Sequence, residues 1–263
     1  MNLELISMQV SNLSRDIGNF ILSEKHKISE ENIRTKGLHN LVTYVDTTAE
    51  KRLVDGLLRI IPTAGFIVEE GTIEKKDEIF NWIIDPLDGT TNYIHGIPVY
   101  SISIALMERK EIVLGVVYEI NSRECFYAWK NGGAFLNKNP ISVSDNDTME
   151  NALLATGFPY YDYKWLDAYV EAFKYFMKNS RGIRRLGSAA VDLAYVACGR
   201  FDGFYEYGLN AWDVAAGAFI IQQAGGKVTD FKGGDDFVFG KEIIAGNTNL
   251  FEPFREVITR NFK

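Results

Sequence analysis

Two segments near the start of the chain have apolar residues at helical spacing. Over residues 3–21, apolar side chains recur three or four positions apart, which predicts an amphipathic helix. A second helix is predicted over residues 47–61, because residues 47–50 have the pattern of a capping box and the apolar spacing continues after them. Pro62 ends that helix, and residues 41–43 before it are predicted to be extended.

Short apolar runs bounded by polar turns come next, and they predict strands. The first two runs, residues 66–70 and 79–85, both end in acidic residues. The runs after them are rich in β-branched and aromatic residues and are joined by short turns, which predicts an antiparallel meander over residues 99–107, 112–120 and 124–130.

The second half of the chain alternates helical patterns with short strand-like runs. This alternation predicts an α/β unit with a mixed sheet. The fold class is therefore predicted as α/β with an α+β N-terminal half, divided into residues 1–145 and residues 146–263. The predicted helices cover residues 166–177, 189–198, 214–224 and about 250–262, and the strands lie near residues 201–206, 226–230 and 242–247.

The overall charge and composition limit the classes of binding partner that are expected. The chain has 263 residues, 46% of them hydrophobic, and a formal net charge of -7. An acidic excess argues against a nucleic-acid polymer or an anionic membrane as a partner.

Glu4, Arg15 and Asp16 interrupt the N-terminal apolar pattern, and no later run is long enough to span a bilayer. Cys125 and Cys198 are widely separated and are predicted to be reduced. Together these observations predict a cytoplasmic protein.

Acidic residues follow several of the apolar runs. Glu69 and Glu70 end one predicted strand, Asp85 ends the next, and Asp213 opens a predicted helix. A carboxylate near a core is costly unless it is paired or binds a metal ion. The apolar runs carry neither lysine nor arginine, so a divalent cation is the favoured explanation.

The residue types favour a hard metal ion. Carboxylates and backbone carbonyls are oxygen ligands, which Mg²⁺, Mn²⁺ and Ca²⁺ prefer. The chain has three histidines, His26, His39 and His95, and no two of them have the H-x-x-x-H spacing of a zinc site.

The segment from Asp85 to Thr91 is predicted to be the centre of this site. Pro86 restricts the backbone and Gly89 permits a tight turn, so Asp85 and Asp88 can face one point. Thr90 supplies a hydroxyl and begins a helical turn, which favours an anion. Alone, D-x-x-D-G-T is more typical of a β-turn with an Asx cap. Together with the other acids, it indicates metal-assisted phosphate hydrolysis.

These motifs resemble the inositol monophosphatase family of Mg²⁺-dependent, lithium-sensitive sugar phosphatases. The resemblance covers nearly the whole chain and implies a layered αβαβα sandwich of the inositol monophosphatase and fructose-1,6-bisphosphatase type, assembled as a homodimer. The matching motifs, in the family's order, are residues 41–43 with Asp46, residues 68–70, residues 82–92, residues 187–190 and residues 212–217.

The resemblance also implies roles for individual residues. The first metal ion would bind Glu69, Asp85 and the Leu87 carbonyl, and the second would bind Asp85, Asp88 and Asp213. A third ion is expected at Glu69. Two or three Mg²⁺ are therefore predicted, with Mn²⁺ as a substitute and Li⁺ or Ca²⁺ as inhibitors. Water would attack directly, without a phosphoenzyme, and the residues implied in catalysis are Glu69, Thr90 and Asp46, with Asp46 orienting Thr90.

The substrate implied by the resemblance is a small phosphorylated polyol or sugar. Inositol monophosphate is the first expectation, and fructose-1,6-bisphosphate, NADP(H) or 3′-phosphoadenosine 5′-phosphate are alternatives, alone or as a dual activity. The residues implied in substrate binding are Asp88, Gly89, Thr90, Gly187, Ser188, Ala189, Glu206 and Asp213.

Some interpretations stay open at this point. Arg184 and Arg185 could contact the substrate, lie between subunits or face solvent. Lys36 could stabilise the third metal ion, and His95 could cap a helix near the site. Haloacid-dehalogenase phosphatases also carry two aspartates and Gly-Thr, but their aspartates are two positions apart and those here are three. A scaffold protein that lost catalysis is the non-enzymatic alternative.

Overall fold

Two large β-sheets and the helices around them make five layers. The computed structural model describes residues 1–27, 33–37, 40–158 and 162–262. Within these residues the layers follow the order helices, seven-stranded sheet, helices, five-stranded sheet, helices. The predicted αβαβα sandwich is confirmed.

The helices of the described residues follow the predicted apolar stripes closely. None of them is long and apolar enough to cross a bilayer. They are α1 (Leu3–Glu24), α2 (Tyr44–Ile60), α3 (Thr90–Ile94), α4 (Leu166–Asn179), α5 (Ala189–Ala197), α6 (Ala211–Gln223) and α7 (Phe251–Asn261).

The strands form a small hairpin and the two large sheets. In the seven-stranded sheet the order is β3-β4-β5-β6-β7-β8-β9, and in the five-stranded sheet it is β11-β10-β12-β14-β13. The strands are β1 (Ile33–Gly37), β2 (Asn40–Thr43), β3 (Gly65–Val68), β4 (Phe80–Asp88), β5 (Ser101–Glu108), β6 (Glu111–Glu119), β7 (Glu124–Trp129), β8 (Gly133–Leu136), β9 (Asn139–Ile141), β10 (Leu153–Thr156), β11 (Gly182–Arg184), β12 (Gly203–Tyr207), β13 (Lys227–Thr229) and β14 (Glu242–Gly246).

The pairing of the strands agrees with the predicted sheet types. From β4 to β9 each strand pairs antiparallel with the next, which confirms the meander, and β3 pairs parallel with β4. In the second sheet β10 is parallel to β11 and β12, whereas β14 is antiparallel to its neighbours. The second sheet is therefore mixed, as predicted.

Each face of the large sheet is buried by helices. The outer face packs against α1 and α2, where Trp82 and Ile84 join the same hydrophobic cluster as Leu53. Ile83 points the other way, toward α5 and α6, because successive side chains of a strand alternate. Asp85 is two positions after Ile83, so it also faces the middle layer.

Helices α5 and α6 fill the middle layer between the sheets, and α4 and α7 cover the outside of the second sheet. A Cβ atom on Gly115 in β6 would lie 2.7 Å from the Ala216 carbonyl oxygen of α6. Glycine at this position therefore allows the helix to contact the sheet backbone directly. One hydrophobic cluster joins this face of the first sheet, both helices and the inner face of the second sheet.

The division of the chain at residues 145 and 146 stays a prediction. The strands of the first sheet end at Ile141 and those of the second begin at Leu153, which brackets the proposed boundary. However, α5 and α6 belong to the second half and pack on the first sheet, so the halves share a core.

Helix α2 begins earlier than predicted, and its capping box lies at different residues. Thr43 is the N-cap, and its backbone N–H and its Oγ1 both donate to Asp46 Oδ2, at 2.8 and 2.6 Å. The predicted box at residues 47–50 was wrong, because Thr47 and Thr48 donate back to the Tyr44 carbonyl inside the helix. Both segments fit the same local pattern, and tertiary packing selects between them.

Glu50 is buried and has a different task. Its carboxylate accepts the backbone N–H of Glu70 on Oε2 at 2.7 Å and that of Thr72 on Oε1 at 2.8 Å. Helix α2 thereby anchors the chain directly after Glu69, at the end of β3.

We predict that Glu50→Gln lowers the stability of the fold. A glutamine amide can accept only one of these two N–H groups and places its own donor against the other, at a cost of about 1–3 kcal/mol. The free energy of unfolding, measured by urea titration, checks this. The matched control is Glu171→Gln on the exposed side of α4, and equal stability of the two variants would contradict the prediction.

Candidate metal centre and substrate cavity

Three predicted carboxylates meet in the middle layer. One oxygen from each of Asp85, Asp88 and Asp213 lies within 4.8 Å of the others. Two of them come from the end of β4 and the third from the first turn of α6. Residues more than 120 positions apart in the sequence are thus brought together where the strand and the helix meet.

The end of β4 is shaped by local hydrogen bonds. Asp85 Oδ1 accepts the backbone N–H of Leu87 at 2.9 Å, and the register of β4 against β5 shifts between Asp85 and Asp88. Pro86 lies in this irregular segment and has no N–H to donate to a neighbouring strand. Gly89 has φ +98°, which favours glycine, and leads into α3. The predicted turn geometry at Gly89 and the helical turn at Thr90 are confirmed.

Asp88 is held at the start of α5. Its Oδ2 accepts hydrogen bonds from Ser188 Oγ at 2.6 Å and from the Ala190 backbone N–H at 2.8 Å. A carboxylate at a helix N-terminus is favoured by the helix dipole and by the free N–H groups. Ser188 therefore lies in the cavity wall but donates its hydroxyl proton to Asp88.

Asp213 is positioned by the first turn of α6. Its Oδ2 accepts the backbone N–H of Asn210 at 2.6 Å, which is half of a capping box. The carbonyl of Trp212 accepts a hydrogen bond from Ser103 Oγ of β5 at 2.9 Å. The helix start is thereby tied to the strand beside β4, which places Asp213 opposite Asp85.

All three carboxyl groups have a raised proton affinity, chiefly because they are buried. Burial raises the pKa of Asp85 well above its usual range, and the charges of Glu69, Asp88 and Asp213 add to the effect. Burial likewise raises the pKa of Asp88 to about 6 and, together with the charge of Asp88, that of Asp213 to about 7. Ionisation of the whole cluster near neutral pH therefore calls for added positive charge.

The donor set fits a hard divalent cation. All three side chains offer carboxylate oxygens, and the cluster contains neither histidine nor cysteine. This favours Mg²⁺, Mn²⁺ or Ca²⁺ over zinc.

Thr90 and Asp46 are in contact, as predicted. Thr90 Oγ1 lies 2.9 Å from Asp46 Oδ1 and 3.0 Å from the Leu87 carbonyl oxygen. Both partners are acceptors, so the single hydroxyl proton points toward them and a lone pair of Oγ1 is left for another donor. Asp46 is buried, and its other oxygen is held by Thr43.

A cavity of about 240 Å³ opens beside the carboxylates. Glu206 of β12 is on its wall and packs directly against the Cα of Gly157, where a side chain would overlap the carboxyl group. Burial raises the pKa of Glu206 well above its usual range, while Arg185 opposes this. The predicted site residues that line the cavity are Glu69, Asp88, Gly187, Ser188, Ala189, Glu206 and Asp213.

The structure also separates the residues whose roles were open. Arg185 lines the cavity with its Cζ 5.4 Å from the Phe158 ring centroid, and Trp212 lines it too. Arg184 is exposed, and His95 is exposed at the C-terminus of α3. The side chain of Lys36 lies outside the residues that the structure describes.

Asp192 and Glu50 were not predicted as functional residues. Asp192 lines the cavity and is 1% exposed, although α5 is otherwise an apolar segment. An acid inside an apolar helical run is a sequence signal that could have identified it. Glu50 had no such signal, because it looks like an ordinary helical glutamate.

Sequence comparison identifies many relatives of the whole chain. A Nus factor SuhB from Pseudomonas aeruginosa is 41% identical over 93% of this chain and 92% of its own length. An inositol-1-monophosphatase from Rhizobium meliloti is 41% identical over 94% and 91%. A fructose-1,6-bisphosphatase/inositol-1-monophosphatase from Thermotoga maritima is 38% identical over 94% and 93%.

Solved structures share the fold. The extragenic suppressor protein suhB from Bartonella henselae superposes with a TM-score of 0.90 at 37% identity, covering 97% of this chain and 99% of that one. The profile of the inositol monophosphatase family matches residues 2–259. The fold, the acidic cluster and these matches agree: the chain belongs to the inositol monophosphatase family and is a phosphoric monoester hydrolase, the enzyme class that its sequence predicts.

Proposed function

We propose that this enzyme hydrolyses inositol monophosphate, with Mg²⁺ bound by Glu69, Asp85, the Leu87 carbonyl, Asp88 and Asp213. The observation that supports this most strongly is the carboxylate cluster beside a cavity that also contains Glu206. When bound, the metal ions supply positive charge that activates water and neutralises the phosphate. The proposal includes two or three Mg²⁺ per site, replacement by Mn²⁺, and inhibition by Li⁺ or Ca²⁺.

The protein's own groups would orient the attacking water. Asp46 draws the proton of Thr90 toward itself, so the free lone pair of Thr90 Oγ1 can accept a hydrogen bond from water. Glu69, on the cavity wall, is the proposed proton acceptor. Water would then displace the alkoxide in line, without a phosphoenzyme.

The remaining wall would bind the phosphate and the ring. Backbone N–H groups of Gly89 and Thr90 are proposed to bind phosphate, and Gly187 and Ala189 to border the ring. Glu206 would accept hydrogen bonds from ring hydroxyls. Ser188 would act chiefly by orienting Asp88, since its hydroxyl proton already goes there.

The volume of the cavity favours a single ring as substrate. At about 240 Å³ it is smaller than typical pockets for drug-sized ligands, roughly 300–1,000 Å³. A dinucleotide such as NADP(H) and the nucleotide 3′-phosphoadenosine 5′-phosphate are therefore the less favoured alternatives. The name of the Thermotoga maritima relative favours fructose-1,6-bisphosphate as a second substrate.

We also propose a localisation, an oligomeric state and a class of partner for the enzyme. We propose a cytoplasmic homodimer whose partner is a small phosphorylated metabolite and neither a nucleic-acid polymer nor a membrane. The acidic net charge of -7 argues against both of these partners, since nucleic acids and anionic membranes attract basic surfaces.

Phosphate release tests the substrate. With Mg²⁺, purified enzyme is expected to release phosphate fastest from inositol-1-phosphate, more slowly from fructose-1,6-bisphosphate, and least from NADP⁺ and 3′-phosphoadenosine 5′-phosphate. A nucleotide as the best substrate would contradict the proposal. No release from any of the four would favour the non-enzymatic alternative, which the Nus-factor name of one relative keeps in view.

Asp85→Asn tests the shared metal ligand. Loss of this carboxylate removes a ligand common to both proposed metal ions, so kcat should fall by at least about 100-fold even at saturating Mg²⁺. The control is Asp55→Asn on the exposed face of α2. Turnover of Asp85→Asn comparable to this control would overturn the metal assignment.

The raised pKa values of the cluster predict how Mg²⁺ stabilises the protein at different pH. Without metal, the folded state binds more protons than the unfolded state between about pH 4 and 7, because the pKa of Asp88 is raised to about 6 and that of Asp213 to about 7. The free energy of unfolding of the metal-free protein therefore decreases as pH rises through that window.

Mg²⁺ replaces the protons, so its stabilising effect should be larger at pH 8 than at pH 5. Thermal unfolding in chelator and in Mg²⁺, at both pH values, measures the difference in Tm. In Asp213→Asn the pH dependence of the Mg²⁺ effect should shrink. An Mg²⁺ effect that is equal at pH 5 and pH 8 in the unmodified protein would refute this account.

A further inference from the structure

One buried carboxyl group in the cavity has no task in the proposed reaction. Asp192 belongs to the first turn of α5, is 1% exposed and lies on the cavity wall. It is not a member of the carboxylate cluster formed by Asp85, Asp88 and Asp213. Its position between the helix core and the cavity requires an explanation, since a buried acid is costly.

The Oδ1 atom of Asp192 lacks a hydrogen-bond partner among the described residues. This atom is fully enclosed, yet no donor of the described protein reaches it. Asp202, another buried acid, shows the usual situation: its oxygens accept from Ser144 Oγ at 2.6 Å and from the Leu153 N–H at 2.7 Å. Buried polar atoms are normally paired, so an unpaired one on a cavity wall indicates a donor supplied from the cavity.

The surroundings of Asp192 show what kind of donor fits. Burial raises the pKa of Asp192 well above its usual range, the charges of Glu206 and Asp88 raise it further, and Arg185 lowers it. An anion such as phosphate would be repelled by these carboxyl groups. A neutral hydroxyl is not repelled, and it donates a hydrogen bond to a carboxyl oxygen.

Glu206 and Asp192 lie on the same cavity, so two acceptors are available to one ligand. Glu206 comes from the end of β12 and Asp192 from the first turn of α5, and the charge of Glu206 raises the pKa of Asp192. A ligand with several hydroxyl groups can donate to both. A ligand with a single polar group cannot.

We propose that Asp192 is a second hydroxyl-binding residue that selects polyhydroxylated substrates, because it lines the same cavity as Glu206 and its Oδ1 lacks a partner among the described residues. This inference rests on the proposed phosphatase function and adds a residue that determines specificity. Asp192 binds the part of the substrate that does not react, so its contribution depends on the leaving group and not on the phosphate.

Two substrates separate this role from a structural one. The polyol substrate is inositol-1-phosphate, and the reference is p-nitrophenyl phosphate, which has no hydroxyl groups. In Asp192→Asn, kcat/KM for inositol-1-phosphate should fall about tenfold or more, because an amide is a weaker acceptor than a carboxylate and presents an N–H donor to the ligand hydroxyls. The value for p-nitrophenyl phosphate should stay within about twofold of the unmodified enzyme, since the metal centre is untouched.

Asp192→Leu is the second variant, and it separates binding from folding. Because Oδ1 has no partner among the residues that the structure describes, an apolar side chain of similar size should leave the Tm equal or higher. Its preference for inositol-1-phosphate over p-nitrophenyl phosphate should be lost. Asp202→Asn is the matched control, since it disrupts a paired buried acid: it should lower the Tm and leave the substrate preference unchanged.

Several results would overturn the inference. Equal losses with both substrates, or a lower Tm in Asp192→Leu, would show a structural role. Unchanged kinetics in both variants would show that the carboxyl group contacts water only. If the unmodified enzyme hydrolyses neither substrate, the proposed function fails, and calorimetry then decides the inference separately: inositol-1-phosphate should bind at least about tenfold more weakly to Asp192→Asn than to the unmodified protein.

Discussion

Mutual repulsion among closely spaced carboxylates is the constraint on which the rest of this structure depends. Oxygens of Asp85, Asp88 and Asp213 lie within 4.8 Å of one another in the interior of the sandwich. Left to itself, such a cluster would separate or take up protons, because burial and like charges both disfavour ionisation. The fold must therefore hold these groups rigidly and leave room for cations among them.

Backbone donors and helix ends hold the cluster in place. Asp85 accepts the N–H of Leu87, Asp88 accepts the N–H of Ala190, and Asp213 accepts the N–H of Asn210. In these three contacts, the carboxylate oxygen is held by a backbone N–H group and not by a cationic side chain. Helices α5 and α6 can deliver two of these contacts because they lie between the sheets with their N-termini at the end of β4.

The same layer explains why the substrate cavity lies where it does. Phe204 and Ile243 of the second sheet pack against α5 and α6, and Glu206, two positions after Phe204, faces the same side. Under the proposed function, the first sheet and α6 would contribute the metal ligands, while the second sheet would contribute the acceptor for hydroxyl groups. Chemistry and recognition come from opposite sides of one packed layer.

Sequence patterns predicted most of the long elements well. Amphipathic spacing located α1, α4 and α7 to within a few residues, because these helices bury one stripe each. The strands β10 and β11 were missed, since four and three residues are too few to show a period. The start of α2 was misplaced because two neighbouring segments both fit a capping box, and only packing chooses between them.

Contacts between residues that are distant in the chain could not be predicted from the sequence. The hydrogen bond from Ser188 to Asp88 joins residues 100 positions apart, and it depends on how α5 packs against the first sheet. The anchor that Glu50 provides to Glu70 and Thr72 likewise depends on the position of α2 beside β3. Periodicity carries no information on such pairings, whereas the carboxylates of β4 were predictable because the turn between them is local.

An anomalous difference map from crystals grown with Mn²⁺ would show whether the three carboxylates bind metal ions. We expect strong peaks within bonding distance of the carboxylate oxygens of Asp85, Asp88 and Asp213, and loss of at least one peak in Asp213→Asn. Crystals that show no peak at these three residues, from protein that is active in the same Mn²⁺ solution, would contradict it.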